Sequence, residues 1–407
     1  MQRRLALRAL LGLASAVLVP ALGHANFPVR RPRVAVIGAG IVGASIAFHL
    51  ARAGARVTIL DRAGPAAGAT RNSFAWIDPW TLDLHYQQLR LRSIAAYHRL
   101  DRPLGLGVIW GGYIDWAATD AEARDVEDLI AAMAHTPFPV TRIDQDEFRR
   151  LSPAIEPGPI RAAFHSRIDG HVDPVAATQR FIAAAGRHGA RLLAPAEVRE
   201  FATTGDRVTA VVTSQGRLDV DHVVVAAGVD TPALLARLGE TLRLKHAPGI
   251  LVHSTPHAIV TRLVYDGPGG LEFQQRGDGS IVGTDSEQVP DLPQHREIRE
   301  HAMDFPSEAL RLLHGNRILA KLAPYLPAAR AVQVSHLTLG FRVLPTDELP
   351  IVGALPSNPN VHVVATHSGV TLAPLLGELV AGEVLDGRLD PMLAPYRPLR
   401  MLRPTVA

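Results

Sequence analysis

The chain has 407 residues, more than most single domains, so we expect it to contain two domains. It has no cysteine, which excludes disulfides and thiolate chemistry, and its 18 histidines show no HExxH pattern, so no metal site is expected. Basic residues number 42 against 39 acidic ones, and removing the three arginines of residues 1–25 would leave 39 of each, which argues against a nucleic-acid partner.

Residues 1–25 have the features of an export signal. Arg3 and Arg4 precede an uncharged run, and Gly23-His24-Ala25 has the small-x-small pattern of a cleavage site. The paired arginines resemble a twin-arginine signal, which would carry a folded protein to the periplasm. The uncharged run is too short for a comfortable membrane span, so we expect no stable span after processing. Without export the protein would be cytoplasmic.

The segment from Val34 to Asp61 predicts a strand–turn–helix–strand unit that binds a dinucleotide. Gly38 would allow the tight turn, Gly40 would let the backbone approach a pyrophosphate, and Gly43 would let the helix lie close to the strand. The start of the helix would offer free N–H groups to the phosphates. Asp61 ends the second strand, where its carboxylate would accept hydrogen bonds from a ribose.

Inside this unit the helix should bury one stripe of side chains. Val42, Ile46 and Leu50 recur at intervals of four residues, which predicts a single buried face. His49 and Arg52 fall outside that stripe. We therefore expect both of them away from the core.

The middle of the chain alternates predicted helices and strands. Residues 62–76 form a loop of small residues that would let backbone amides come close to a ligand. The predicted helices are 84–100, 119–134 and 175–188, and the predicted strands are 105–116, 192–201, 207–213 and 218–226. The run His222 to Ala227 is almost wholly apolar, which is typical of a strand buried on both faces.

Beyond Leu244 the pattern changes to short strands separated by Gly and Pro, up to Thr284. This favours an antiparallel sheet and hence a second domain. The remaining predicted elements are a helix at 307–322, a strand at 361–365 and a helix at 372–385. The predicted fold class is α/β, with a Rossmann-like domain and a second, mainly antiparallel α+β domain.

From residue 33 to residue 390 the chain resembles the D-amino-acid oxidase superfamily of FAD-dependent oxidoreductases, which includes glycine oxidase, sarcosine oxidase and D-amino-acid dehydrogenases. Four signatures in order carry the resemblance: the glycine-rich unit, DGHVDP at 169–174, HVVVAAG at 222–228, and FRVLPTDELPIVG followed by THSGVTLAPLLG at 341–377. The resemblance implies an FAD-binding domain made of 31–85, 161–243 and 336–395. The substrate domain would consist of 86–160 and 244–335.

The resemblance also implies which residues hold FAD. They are Gly38, Gly40, Gly43, Asp61, Arg62, Gly68, Thr70, Asn72, Val198, Gly228, Gly369, Val370 and Thr371. The last three would open a helix that faces the pyrimidine edge of the flavin, where a helix N-terminus stabilises negative charge. Covalent relatives place a histidine where this chain has Asn72, and no cysteine is present, so we expect FAD to be bound non-covalently.

For catalysis the resemblance implies oxidation of a C–N bond in a small amino acid or secondary amine. A hydride would pass from Cα to flavin N5, and water would then hydrolyse the imine. Arg342 would hold the substrate carboxylate through two parallel hydrogen bonds. His367 is a candidate for proton handling or for polarising the flavin. Val343 follows Arg342 where relatives have proline, which departs from the pattern.

Two further departures bear on the acceptor and the substrate. The segment 279–283 lacks the lysine that sarcosine-oxidase relatives place beside the flavin for oxygen, so we favour a dehydrogenase that reduces a quinone or carrier protein. Glu272 and its neighbours occupy a strand that often supplies a substrate-side tyrosine. Tyr113 and Tyr265 could replace that tyrosine, but ordinary packing is the simpler expectation for both.

Two other interpretations remain open from the sequence. A nicotinamide-dependent dehydrogenase could use the same Val34–Asp61 unit, and a flavin-binding assembly protein could hold the cofactor without turnover. Flavin absorbance would separate the first from our interpretation. If no amine or amino acid reduces the bound flavin, the chain would instead be a flavin-binding assembly protein.

Overall fold

The computed structural model describes residues 31–138 and 140–404. The predicted export signal at residues 1–25 lies outside these residues and stays a prediction. Within the described ranges, no helix combines the length and the apolar character that crossing a bilayer requires.

A six-stranded sheet contains the predicted dinucleotide-binding unit. In spatial order its strands are Ile351–Ala354, Val361–Ala365, His222–Val225, Arg33–Ile37, Arg56–Leu60 and Arg191–Leu193. All neighbours pair in parallel except the edge strand Ile351–Ala354, which is antiparallel to the next. The prediction of a Rossmann-like sheet is confirmed. The strand His222–Val225 is buried on both faces as predicted, since Val224 packs on one side of the sheet and Val223 and Val225 pack on the other.

The strand Arg33–Ile37 is buried on both of its faces. Val34 and Val36 pack in the core formed with the helices on one side of the sheet. Ala35 and Ile37 pack on the other side, against a three-stranded sheet formed by Val198–Thr204, Arg207–Thr213 and Gly216–Asp219. Two covered faces explain why this strand has no polar side chain after its first residue.

The described ranges contain every predicted helix and three short ones that were not predicted, at 145–151, 231–236 and 296–300. The helices are Ile41–Arg52, Leu84–Leu104, Asp120–Met133, Gln145–Leu151, Pro174–Arg187, Thr231–Ala236, Arg296–Glu300, Glu308–Leu322 and Gly369–Asp386. Short 3-10 turns occur at Gly228–Asp230, Pro293–His295, Pro327–Ala331, Pro391–Tyr396 and Pro398–Arg400. Thr119, Asp173 and Ser307 each cap the helix that follows through a side-chain oxygen, which fixes where those helices begin.

The prediction for His49 is wrong. The first helix, Ile41–Arg52, packs between the last helix, Gly369–Asp386, and Pro174–Arg187, so most of its circumference is covered. His49 is only 4% exposed. A Cβ atom added at Gly377 would lie 2.8 Å from Cδ2 of His49, which shows how closely the last helix approaches it. Arg52 stays exposed, as expected.

The second sheet has eight strands. Their spatial order is Val334–Phe341, Pro248–Ser254, Ile281–Asp285, Leu271–Gln275, Val264–Gly267, Tyr113–Ala117, Ala162–Ser166 and Val140–Arg142. Neighbours are antiparallel except Val264–Gly267 and Tyr113–Ala117, which run parallel. Two-residue strand pairs join Trp76–Ile77 to Gly170–His171, Leu244–Lys245 to Leu344–Pro345, and Glu240–Thr241 to Arg403–Pro404. The prediction of a mainly antiparallel second sheet is confirmed.

The strand pairing bears on the proposed domain boundaries. Ala162–Ser166 and Val334–Phe341 both belong to the eight-stranded sheet, so we move two boundaries to follow residues 166 and 341. The helix Leu84–Leu104 packs on the last helix and shares the core of the first sheet. We therefore propose that its residues belong with the dinucleotide-binding part, which moves a third boundary to follow residue 104. The division into domains itself stays a proposal.

Candidate functional site

One cleft of about 1180 Å³ collects nearly all the predicted site residues. This volume exceeds the roughly 300–1,000 Å³ of ordinary small-molecule pockets, as a dinucleotide with a substrate would need. The predicted residues in its lining are Gly38, Gly40, Asp61, Arg62, Gly68, Thr70, Asn72, Val198, Gly228, Arg342, His367, Gly369, Val370 and Thr371. Gly43 is the exception. It packs beneath the cleft, where an added Cβ would lie 2.0 Å from the carbonyl oxygen of Gly38.

Glycines form the floor of the cleft where the first strand ends. Gly38 has a φ of +107°, and a Cβ there would lie 2.2 Å from the carbonyl oxygen of Ala226 on the neighbouring strand. Gly40 precedes the first helix and provides no side-chain cap. The Ile41 N–H donates to Oγ1 of Thr70 at 3.1 Å. Gly40 has no side chain and lines the cleft where this helix begins, which fits a ligand carrying phosphate groups.

The carboxylate of Asp61 holds this turn through three hydrogen bonds from backbone amides. Its Oδ2 accepts the Ala39 N–H at 2.8 Å, and its Oδ1 accepts the N–H groups of Ala63 and Gly64 at 2.9 and 2.8 Å. Each carboxylate oxygen has two lone pairs, so the three amides leave acceptor capacity for a ribose hydroxyl. The ribose role stays a proposal.

The last helix also begins at the cleft. Gly369 is its first residue, and Ser368 before it forms no side-chain cap. Hydroxyl groups from the second helix hold its first turn: Tyr97 donates to the carbonyl of Val370 at 2.7 Å, and Ser93 donates to that of Thr371 at 2.6 Å. Two helix N-termini without caps of their own therefore meet the same cleft, an arrangement that suits both the diphosphate and the ring of FAD.

A buried ion pair lies beside the start of the last helix. Asp78 accepts hydrogen bonds from the guanidinium of Arg90 and from the Trp80 N–H. The Thr371 hydroxyl is 3.3 Å from Oδ2 of Asp78 and 3.2 Å from the carbonyl oxygen of Trp76, and can donate to either. Burial raises the pKa of Asp78, while the charge of Arg90 lowers it. This pair was not predicted from the sequence.

Arg342 projects a cationic side chain into the cleft. Its Nε lies 3.4 Å from the carbonyl oxygen of Ala247, and among the described residues no carboxylate comes within 4.0 Å of its guanidinium. Burial lowers the pKa of Arg342, against the raising effect of Glu272 and Glu348. An arginine remains charged throughout the physiological range. The guanidinium is therefore available to an anionic ligand.

His367 lies in the cleft close to Arg342. Its side chain has access to solvent, yet desolvation by the protein around it, together with the charges of Arg342 and Arg90, lowers its pKa to about 4. The imidazole is accordingly neutral at neutral pH. It can donate one hydrogen bond and accept another there, but it adds no positive charge to the site.

The two tyrosines considered at the sequence level serve in packing. Tyr113 is 3% exposed, and its hydroxyl donates to Oδ2 of Asp115 at 3.4 Å. Tyr265 is fully buried, and its hydroxyl shares hydrogen bonds with Ser152 and Thr261. Neither lines the cleft. Glu272 does, on the strand Leu271–Gln275.

Comparison with known proteins agrees with this geometry. The family described as "DAO: FAD dependent oxidoreductase" matches residues 33–383. One of the subunits of opine oxidase from Agrobacterium tumefaciens (strain Ach5) is 27% identical over 89% of this chain and 95% of its own length. Glycine oxidase from Bacillus licheniformis is 25% identical over 86% and 92%. These curated relatives are matched over most of their length.

A solved structure shows the same fold. The crystal structure of L-proline dehydrogenase from P. horikoshii superposes with a TM-score of 0.79 and 22% identity, covering 91% of this chain and 97% of that one. The family match spans most of the chain, so the nicotinamide alternative is set aside and FAD is the cofactor. The chain belongs to the DAO family of FAD-dependent oxidoreductases, enzymes that act on amino acids or amines.

Proposed function

We propose that this enzyme oxidises the C–N bond of a small amino acid, or of a secondary amine that carries a carboxylate. The observation that carries the proposal is the guanidinium of Arg342, which lines the cleft near the start of the last helix without a carboxylate partner among the described residues. Glycine and proline, which appear in the names of relatives, each combine a carboxylate with an amine on the adjacent carbon.

In this proposal the residues orient the substrate and hold charge. Bound FAD would supply the acceptor for a hydride from the substrate carbon. Arg342 would grip the carboxylate with two parallel hydrogen bonds and thereby fix the direction of the Cα–H bond, which is the main requirement for hydride transfer. The N–H groups at Gly369 would stabilise negative charge at the ring edge. His367 would act as a neutral hydrogen-bonding group.

The proposed cofactor contacts follow the same logic. The N-terminus of the first helix and the turn at Gly38 and Gly40 would hold the diphosphate, and Val198 would contact the adenine end. Asn72 donates to the carbonyl oxygen of Gly68 at 3.3 Å within the loop beside the ring. The absence of any cysteine supports non-covalent attachment.

For the electron acceptor we propose a quinone or a carrier protein in preference to oxygen. Among the described residues, no lysine lines the cleft: Lys245 pairs with Glu348, and Lys321 pairs with Asp285 on the eight-stranded sheet. A lysine beside the flavin ring is the feature that the family resemblance links to the use of oxygen. Rapid re-oxidation of the reduced protein by air would contradict the proposal, and slow re-oxidation accelerated by a soluble quinone would support it.

The deciding experiment is anaerobic bleaching of the FAD-loaded protein. We would mix it with glycine, sarcosine, D-alanine, and both enantiomers of proline, and follow the visible flavin absorbance. Bleaching by at least one of them supports the proposal. Stable absorbance with every amino acid and secondary amine of a wider panel would favour the alternative of a flavin-binding protein without turnover.

We also propose export to the periplasm through residues 1–25. The support is the pair Arg3 and Arg4 ahead of an uncharged run. Replacing both arginines by lysine should retain the protein in the cytoplasm, as judged by cell fractionation. Unchanged fractionation would argue against a twin-arginine route.

A further inference from the structure

Two side chains of opposite charge line the cleft without a partner among the described residues. Neither a hydrogen bond nor an ion pair reaches the carboxylate of Glu272, and the guanidinium of Arg342 makes only its 3.4 Å contact with Ala247. Apart from the exposed Glu197 beside Val198, the other carboxylates of the cleft are held by protein groups. Asp61 binds backbone amides, Asp78 binds Arg90, Asp230 binds Arg62, Asp347 binds Arg400, and Glu348 binds Lys245.

The strand Leu271–Gln275 directs Glu272 towards the cleft. Alternate residues of a strand point to opposite faces, and Leu271 and Phe273 are buried in the core of the eight-stranded sheet. Glu272 and Gln274 therefore share the other face. The side-chain amide of Gln274 donates to the carbonyl of Phe74, so this face lies against the loop that we assign to the flavin. Glu272 is thus placed beside the proposed reaction site.

The surroundings of Glu272 make its carboxyl group a stronger base than usual. Burial raises its pKa well above the ordinary value, nearby negative charges raise it further, and the charge of Arg342 lowers it. In strand register Glu272 lies opposite Asp266, which lies opposite Asp115, while its other neighbour is the uncharged Thr284. The titratable groups that face it are Asp266, Asp115, Asp78, Arg342 and Tyr113.

An amino acid in water carries a carboxylate and an ammonium group on the same carbon. Hydride can leave that carbon only when nitrogen has a lone pair to form the C=N bond, so the ammonium must first lose a proton. We propose that Glu272 accepts this proton from a zwitterionic substrate whose carboxylate is held by Arg342. An N–H bond of the substrate breaks, its electron pair stays on nitrogen, and an O–H bond forms on Glu272.

This inference rests on the proposed function and narrows its substrate class. The substrate would be a primary or secondary α-amino acid that binds with both charges, carboxylate at Arg342 and ammonium at Glu272. A base whose pKa is raised towards that of an ammonium group matches this transfer better than an ordinary carboxylate does. A quaternary amine would bind without reacting.

The first test measures binding and needs no turnover. Glycine betaine and 3,3-dimethylbutanoate have the same shape, but only betaine carries the positive charge. We would titrate each into the FAD-loaded protein at a series of pH values and follow the flavin spectrum, since burial raises the pKa of Glu272 above its ordinary value. The wild type should bind betaine at least about tenfold more tightly, increasingly so with rising pH, because Glu272 supplies the opposite charge.

In Glu272→Gln this preference should fall to about twofold or less and lose its pH dependence. Asp266→Asn is the matched control: it removes the adjacent carboxylate, which does not line the cleft. It should keep the preference for betaine and shift its pH dependence to lower pH, because the charge of Asp266 raises the pKa of Glu272. An intact flavin spectrum in each variant confirms folding. The same preference in Glu272→Gln as in the wild type, or no preference in the wild type, overturns the inference.

The second test uses the amino acid that bleaches the wild type fastest. The anaerobic reduction rate of Glu272→Gln should fall at neutral pH and recover as the pH approaches the pKa of the free substrate ammonium, and Glu272→Asp should restore part of the loss. If amino acids reduce both proteins with one pH profile, the role of Glu272 is wrong and the proposed function stands. If no amino acid reduces the wild type, the proposed function fails, and the betaine preference alone decides whether Glu272 binds a cation.

Discussion

A Cβ atom added to Gly340 would lie 2.6 Å from the Cβ of Asn72 and 2.9 Å from its carbonyl oxygen. The end of the strand Val334–Phe341 therefore rests directly on the loop that follows the dinucleotide-binding unit. Arg276, on the same sheet, donates to the carbonyl of Ser73 at 3.1 Å. The two sheets are joined at this loop, and the cleft lies alongside the junction.

Replacing Gly340 by alanine should weaken FAD binding. The new methyl group would clash with the Cβ atom and the backbone of Asn72. No change of side-chain rotamer moves either of these, so the loop must shift. Overpacking of this kind costs about 1–3 kcal/mol, so we expect the Kd for FAD to rise by between about fivefold and about 150-fold. Fluorescence titration of the apoprotein with FAD measures this Kd. Gly186→Ala is the control, since nothing lies within 4 Å of a Cβ there; equal affinities in both variants would contradict the prediction.

Arg342→Gln should strongly weaken the reaction with carboxylate substrates while leaving the flavin bound. Losing a charged, bidentate partner costs about 2–5 kcal/mol, so the rate constant for flavin reduction at low substrate should fall at least about thirtyfold. Arg342→Lys should recover only part of it, because an ammonium group lacks the planar fork. Stopped-flow absorbance under nitrogen gives the rates.

The control for Arg342 is Lys245→Gln. Lys245 lies on a strand paired with residues 344–345, and its ammonium group binds Glu348 at the cleft. Its removal changes the local charge by the same amount but takes away no proposed substrate contact. A loss equal to that of Arg342→Gln would mean that net charge near the cleft, and not a carboxylate clamp, governs the reaction.

The glycine-rich unit could be predicted almost to the residue because all its signals are local. The strand Arg33–Ile37, the helix Ile41–Arg52 and the strand Arg56–Leu60 agree with the sequence pattern within one or two positions. Turn glycines and the alternation of apolar residues act over a few residues, and no distant contact changes them. The position of Gly369 at the start of the last helix was predicted on the resemblance.

Contacts between distant segments could not be predicted in the same way. His49 is buried because the last helix covers it more than 300 positions later in the chain. Arg90 lies on the same side of its helix as the buried Tyr86 and Tyr97, which indicates burial but not its partner Asp78. The spacing of Arg90 from those buried residues, at intervals typical of one helix face, could have predicted its burial from the sequence. The partner depends on where a loop places its carboxylate.

His49 should make the protein sensitive to acid. Burial, with the charges of Arg52 and Arg99, lowers its pKa to about 3 from an ordinary value of 6.5. Between those values the unfolded chain binds a proton that the folded protein does not, so the free energy of unfolding falls as the pH drops below about 6.5. At about pH 5 this loss amounts to about 2 kcal/mol relative to pH 7.

His49→Leu should remove that part of the acid sensitivity. We expect the free energy of unfolding of the variant to change by about 2 kcal/mol less than that of the wild type between pH 7 and pH 5, measured by denaturant unfolding at both values. The leucine leaves no unpartnered ring nitrogen in the core, whereas Nε2 of His49 is one. Parallel losses in both proteins would mean that His49 is protonated in the folded state.

Asp78 and Arg90 should be strongly coupled. Both are buried, at 7% exposure each, so Arg90→Met would leave a carboxylate without its cation and should cost about 3–5 kcal/mol of folding free energy. The double variant Asp78→Asn with Arg90→Met removes both charges and should be more stable than Arg90→Met alone. A double-mutant cycle by denaturant unfolding yields the coupling energy.

The variants of this cycle should also change the rate of flavin reduction. The Thr371 hydroxyl, in the first turn of the last helix, lies 3.3 Å from Asp78, so the buried pair helps to position that turn. Arg99 offers a control on the same pair of helices: it binds Glu378 at 2.9 Å with both side chains about half exposed. Arg99→Met should cost no more than about 1 kcal/mol and leave the reduction rate unchanged. If Arg90→Met behaves like Arg99→Met in both measurements, the buried pair does not position the start of the last helix.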